Sequence, residues 1–152
     1  MKFPIGIQSF ESLRSEGFVY VDKTALVRKM TSEGKCFFLS RPRRFGKSLL
    51  MSTIEAYFQG KKHLFEGLAM ETLETDWKVY PVLHLDLNAK PYTKLQDLYD
   101  LLDDQLTYYE RQYDSVATDK SPEGRFRQLI RCARQKTGMG VVVLVDEYDK
   151  PI

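Results

Sequence analysis

Cysteine and histidine are scarce: two of each in 152 residues. That count excludes a disulfide framework and leaves little for a metal centre built on thiolates or imidazoles. Cys36 is expected on a strand and Cys132 on a helix, and without a secretory leader the chain reads as a protein of a reducing cytoplasm. His63 falls in a predicted loop and His84 in a predicted strand, neither with a neighbour at metal-ligand spacing. Charge of one sign is also lacking. A net charge of +2 is too small to imply nucleic acid or a membrane surface. No apolar stretch nears the roughly 20 residues that span a bilayer, and Met1-Lys2-Phe3-Pro4 does not begin a secretory segment. Repeats, low-complexity tracts and linkers are absent. What remains, 43% hydrophobic and 29% charged, is the composition of a globular domain long enough to bury a core.

The most informative segment is an apolar run, Cys36-Phe37-Phe38-Leu39-Ser40, followed by Arg41-Pro42-Arg43-Arg44-Phe45-Gly46-Lys47-Ser48 and Leu49-Leu50-Met51. A strand, a tight basic loop and a helix opening on Gly-Lys-Ser is how a chain cradles a nucleoside triphosphate, with loop and helix N–H groups pointing at the phosphates. Arg43, Arg44, Phe45, Gly46, Lys47, Ser48 and Leu49 are the predicted binding residues. Lys47 reaches the β/γ oxygens and Ser48 ligates Mg²⁺. Arg41 stands where the general Walker A template has its first glycine. Three guanidiniums in one loop repel each other, so at least one of Arg41, Arg43 and Arg44 is expected to face phosphate or an acidic surface.

A second segment supports the first. Val141-Val142-Val143-Leu144-Val145 is the β-branched run expected of a parallel strand buried on both faces, and it ends on Asp146-Glu147. Asp146 is placed to bind Mg²⁺ as a Walker B carboxylate, and Glu147 to polarise the attacking water. Asp86, in Val82-Leu83-His84-Leu85-Asp86-Leu87, is a rival, but Leu87 after it puts it inside its strand, and no second carboxylate follows.

Between these segments the pattern reads as alternating elements. Asp22 is expected to cap a helix from Lys23 to about Thr31, and Tyr20 and Lys23 are weak candidates for base or ribose contacts. A helix follows the loop from Lys47 to Phe58, and Phe65, Leu68 and Trp77 read as packing anchors. Leu95, Leu98, Leu102, Leu106 and Tyr109 mark a long amphipathic helix from Thr93 to about Tyr113, whose acidic residues read as a solvated face. Ser121-Pro122 opens another helix, with Phe126, Leu129, Ile130 and Ala133 inward. Its Arg125, Arg127, Arg131 and Arg134 are expected to meet solvent and salt bridges.

At these motifs the sequence resembles the AAA-ATPase-like family of bacterial P-loop proteins. The resemblance is carried by Tyr20-Val21-Asp22-Lys23-Thr24, by the run from Phe38 to Leu49 and by Leu144-Val145-Asp146-Glu147-Tyr148-Asp149-Lys150-Pro151-Ile152. In that family an arginine-rich loop replaces the first Walker A glycine. The resemblance implies an α/β, P-loop NTPase-like three-layer domain with a parallel sheet of the additional-strand type, with ATP and Mg²⁺ as ligands. Lys47 and Glu147 are then the expected catalytic residues, and Ser48 and Asp146 the metal ligands. Members continue for several hundred residues, often into a PD-(D/E)XK nuclease-like domain. The expected organisation is a preamble over 1–35 and a P-loop core over 36–152, incomplete at its C-terminus, because the strand that follows Walker B lies centrally in that arrangement. Expressed alone, such a piece is expected to be poorly soluble or oligomeric.

Overall fold

The computed structural model describes residues 2–40, 46–89 and 93–148. They fall into two compact units, Met1–Val79 and Tyr80–Ile152.

The first unit is helical. Helix α1 (Phe10–Ser15) starts where the Ser9 hydroxyl accepts the Ser12 N–H, and helix α2 (Thr24–Glu33) where the Asp22 carboxylate accepts both the N–H and the hydroxyl of Thr24. Asp22 therefore holds the start of α2 as expected, one residue later than the sequence suggested. Its other oxygen accepts the N–H of Ala69, and the Thr24 hydroxyl accepts that of Met70, which ties α2 to the short helix α4 (Ala69–Leu73). Helix α3 (Lys47–Phe58) has the predicted bounds and packs on α1, where Ser52 Oγ accepts the Phe10 N–H. Phe10, Leu13, Val27, Phe65 and Met70 are almost fully buried at the centre of the unit. Phe65 lies 5.0 Å from Phe10 and 5.2 Å from Trp77, ring centroid to centroid, so both predicted aromatic anchors pack as expected.

Residues 36–40 do not form a strand. A strand needs a neighbouring strand, and among the described residues no strand or β-bridge pairs with this segment. Its apolar side chains stay in solvent, with Phe38 72% exposed.

The second unit holds the sheet: strand β1 (Val82–Asp86) parallel to strand β2 (Val142–Asp146), in register from Val82↔Val142 to Asp86↔Asp146. Helices α5 (Leu95–Tyr113) and α6 (Pro122–Thr137) connect them. Leu83, Leu106, Tyr113, Leu129 and Ala133 form the buried cluster, with Tyr109, Phe126, Ile130 and Val141 packed around it. The expected inward residues of α6 are thus found inward, whereas Leu95 of α5 is 67% exposed. β2 departs from the two-sided burial its sequence suggests, since Val143 and Val145 are 39% and 41% exposed. Side chains alternate along a strand, and a sheet of two strands with one helix pair does not cover these odd positions.

Candidate functional site

Helix α3 begins at an open end. Gly46 precedes it in the left-handed conformation (φ 75°, ψ 24°), which glycine takes without steric cost. The first N–H groups of any helix lack intrahelical partners and carry the positive end of its dipole. Every other α-helix here answers that need. Ser9 and Glu11 serve α1, Asp22 serves α2, Asp22 and Thr24 serve α4, and Ser121 with Glu123 serves α6, whereas in α5 the Asp97 carboxylate answers the dipole from the first turn and accepts the N–H groups of Thr93 and Lys94 just before the helix. Helix α3 has no side-chain cap and no acidic residue in its first turn. Among the described residues, nothing accepts from the N–H groups of Lys47, Ser48 or Leu49. Arg41, Arg43, Arg44 and Phe45 lie outside the described residues.

Asp146 and Glu147 stand in the second unit, at the C-terminal tip of β2. Asp146 is buried, and its Oδ1 accepts the Glu147 N–H at 2.9 Å. Glu147 takes φ 54°, a left-handed conformation uncommon for residues other than glycine and costly by about 1 kcal/mol. That turn lifts the Glu147 side chain out of the strand's alternation at the point where the sheet ends.

Asp86 is placed differently from the sequence expectation. It is the last residue of β1, not an interior one, and the parallel register sets it beside Asp146. Its Oδ1 accepts the Asn88 N–H at 2.8 Å, which turns the chain away from the strand. Two carboxylates therefore stand at adjacent strand tips. The signal for this was in the sequence: two apolar strands that each end near an aspartate are in register when they pair in parallel from corresponding starts.

Tyr20 and Lys23, weak candidates for nucleotide contacts, have plainer surroundings. Tyr20 meets Phe10 edge-on at 5.2 Å, and burial raises the pKa of its hydroxyl. Lys23 is exposed just before α2. Among the described residues no group of three or more His, Cys, Asp or Glu side chains is arranged to hold a metal, and no helix is long and apolar enough to cross a membrane.

The chain, α/β in its architecture, belongs to the AAA-ATPase-like family, described as predicted AAA-ATPase, whose model matches residues 4–152. It is also similar to a protein of Azotobacter chroococcum mcd 1 described as "Uncharacterized protein in vnfD 5'region", with 42% identity over 153 residues. The match takes in 99% of this chain but spans only 30% of that relative's length. No solved structure matches the chain.

Proposed function

We propose that this chain supplies the nucleotide-binding part of an Mg²⁺-dependent ATPase. The observation that carries the reading is the start of α3, a helix that, among the described residues, has no side-chain cap and no acidic residue in its first turn, and that opens on Lys47 and Ser48. An anion at that position satisfies the free donors and the helix dipole together. A triphosphate held there would take the Lys47 ammonium as its charged partner, with the arginines of the preceding loop (Arg41, Arg43, Arg44) as further cations. Ser48 and Asp146 are each proposed as an Mg²⁺ ligand, since both offer the hard oxygen this ion prefers. Bound with the triphosphate, the ion would neutralise phosphate charge. Glu147 is proposed as the group that orients the attacking water and accepts its proton.

Two substitutions test binding and turnover separately. Lys47→Ala removes a charge-assisted contact and should weaken binding of a fluorescent ATP analogue by roughly 10- to 100-fold. Equal affinity of the two proteins would overturn the phosphate assignment. Glu147→Gln should leave that affinity in place while ATP turnover by the full-length protein falls roughly 100-fold or more. Unchanged turnover would remove Glu147 as the base, and ATP binding with no turnover above background in the unsubstituted protein would assign the nucleotide a regulatory part instead, as the ligand of a binding module that controls a partner domain such as a nuclease-like one.

A further inference from the structure

Helix α6 sorts its cations into two groups. Arg125 is the inner one. It donates through Nε and Nη2 to Glu110 at 2.9 and 2.8 Å, through Nη2 to Thr107 at 2.9 Å, and through Nη1 to Asp103. At the other end Lys136 pairs with Asp114 at 2.7 Å. Arg125 meets the expectation of salt bridges, and the two cations fasten α6 to α5 and to the turn that follows α5. Arg127, Arg131 and Arg134 are the outer group. Their spacings of four and three residues put them on one stripe of the helix, and all three are exposed. Among the described residues none of the three has an ion pair. No Asp or Glu stands between Glu123 and Asp146 in the sequence, so α6 offers the stripe no carboxylate beyond its first turn. Asp119 lies within electrostatic reach of Arg127, and its own carboxyl is held low chiefly by the N–H and hydroxyl of Ser121.

An ordinary solvated helix face mixes both signs. Beyond Glu123, which stands one turn before Arg127, this one has a single sign, and its cations are all arginine, whose planar fork matches phosphate oxygens two at a time. At 1.5 Å per residue the three Cα atoms span about 10 Å, within reach of two to three successive phosphates of one strand. We propose that the outer face of α6 is a docking surface for the phosphodiester backbone of nucleic acid, read by charge and not by base sequence. The modest net charge of the whole chain does not oppose this, because the acidic residues that balance it lie elsewhere, several of them on α5.

The test is fluorescence anisotropy of labelled single-stranded and double-stranded 20-mers with the intact protein, from 50 to 200 mM salt. The variants are R127Q/R131Q/R134Q and R127K/R131K/R134K. The slope of log affinity against log salt should be shallower by about 2 to 3 in the glutamine protein and nearly restored in the lysine protein. The relative loss on the two oligonucleotides shows which form the face prefers. Circular dichroism and the affinity for an ATP analogue should be unchanged, which separates this surface from the proposed nucleotide site. Identical slopes in wild type and the glutamine variant would overturn the proposal. So would salt-sensitive self-association of the wild type, abolished by the glutamine variant, in a protein that binds neither oligonucleotide. That result would assign the stripe to an acidic face of a second copy.

Discussion

Glu147 combines a strained backbone with the proposed reacting group. A side chain with a Cβ pays for φ 54° through contact with its own carbonyl, and glycine does not. Glu147→Gly should therefore be more stable to urea than Glu147→Ala by about 1 kcal/mol, and an alanine variant as stable as the glycine one would contradict the left-handed assignment. In the first unit Tyr57 donates its hydroxyl to Glu74 Oε2 at 2.5 Å, with Arg28 3.3 Å from the same oxygen. That hydrogen bond, followed by the N–H groups of Asp76 and Thr75 and by Arg28, holds the Glu74 carboxyl below its ordinary 4.5 against the opposing effect of burial. Burial, and then the Glu74 carboxylate, push the Tyr57 hydroxyl up to about 12 from its ordinary 10. A depressed carboxyl contributes stability that is present above pH 4.5 and lost as pH falls through its folded value. A raised phenol contributes stability that is present below pH 10 and lost as pH rises toward about 12. Tyr57→Phe should flatten the urea-midpoint profile in both windows, and an unaltered profile would remove the pair from the account. None of this network could be read in advance, because Arg28, Tyr57 and Glu74 are brought together only by packing. Lys47, Ser48 and Asp146 could be picked out as candidates because the motifs that suggest them are local in the sequence.

At the level of elements, the edge of β1 away from β2 is closed by side chains of α5. Tyr109 accepts the His84 N–H at 2.9 Å and donates to the His84 carbonyl at 3.2 Å. Gln105 accepts the Asp86 N–H at 3.0 Å and donates to the Asp86 carbonyl at 2.8 Å. In a parallel pair only alternate residues of each strand bond across, so His84 and Asp86 would otherwise present the unpaired groups of an edge strand. Tyr109→Phe and Gln105→Leu should each lower stability by about 1–3 kcal/mol in thermal or urea unfolding, through groups left unsatisfied. Losses under about 0.5 kcal/mol would show that water replaces them. The amphipathic period of α5 was legible, and so was its start within two residues. The task of Tyr109 was not, because an aromatic at core spacing carries no sign that its hydroxyl will reach a strand. The same limit explains residues 36–40. Their apolar, β-rich composition is a strand signal, yet strand formation depends on a partner that periodicity cannot supply.

For the whole molecule, the two units differ in how completely they satisfy their own surfaces. Among the described residues, the first leaves the start of α3 open, and the second leaves the outer edge of β2 open. β2 pairs with β1 through Val142, Leu144 and Asp146, so the N–H and carbonyl groups of Val143 and Val145 turn to the other edge, where no described strand bonds to them. Open, β-branched edges are templates for another chain, and the protein should associate with rising concentration in sedimentation velocity. Val143→Lys should reduce that association with the circular dichroism unchanged, and equal association in both proteins would place the contact elsewhere. The α/β class and the parallel pairing of strands were legible from the order of elements and the β-branched runs, whereas the open edge appears only once the register is known. The central claim rests on the other opening, the amides that begin α3, for which no described residue is an acceptor, and hydrogen–deuterium exchange addresses those amides directly. Adding Mg²⁺ and ATP to the protein should slow exchange at Lys47, Ser48 and Leu49, and Lys47→Ala should abolish the protection at the same nucleotide concentration. Saturating ATP binding that leaves exchange in this first turn unchanged would contradict the account.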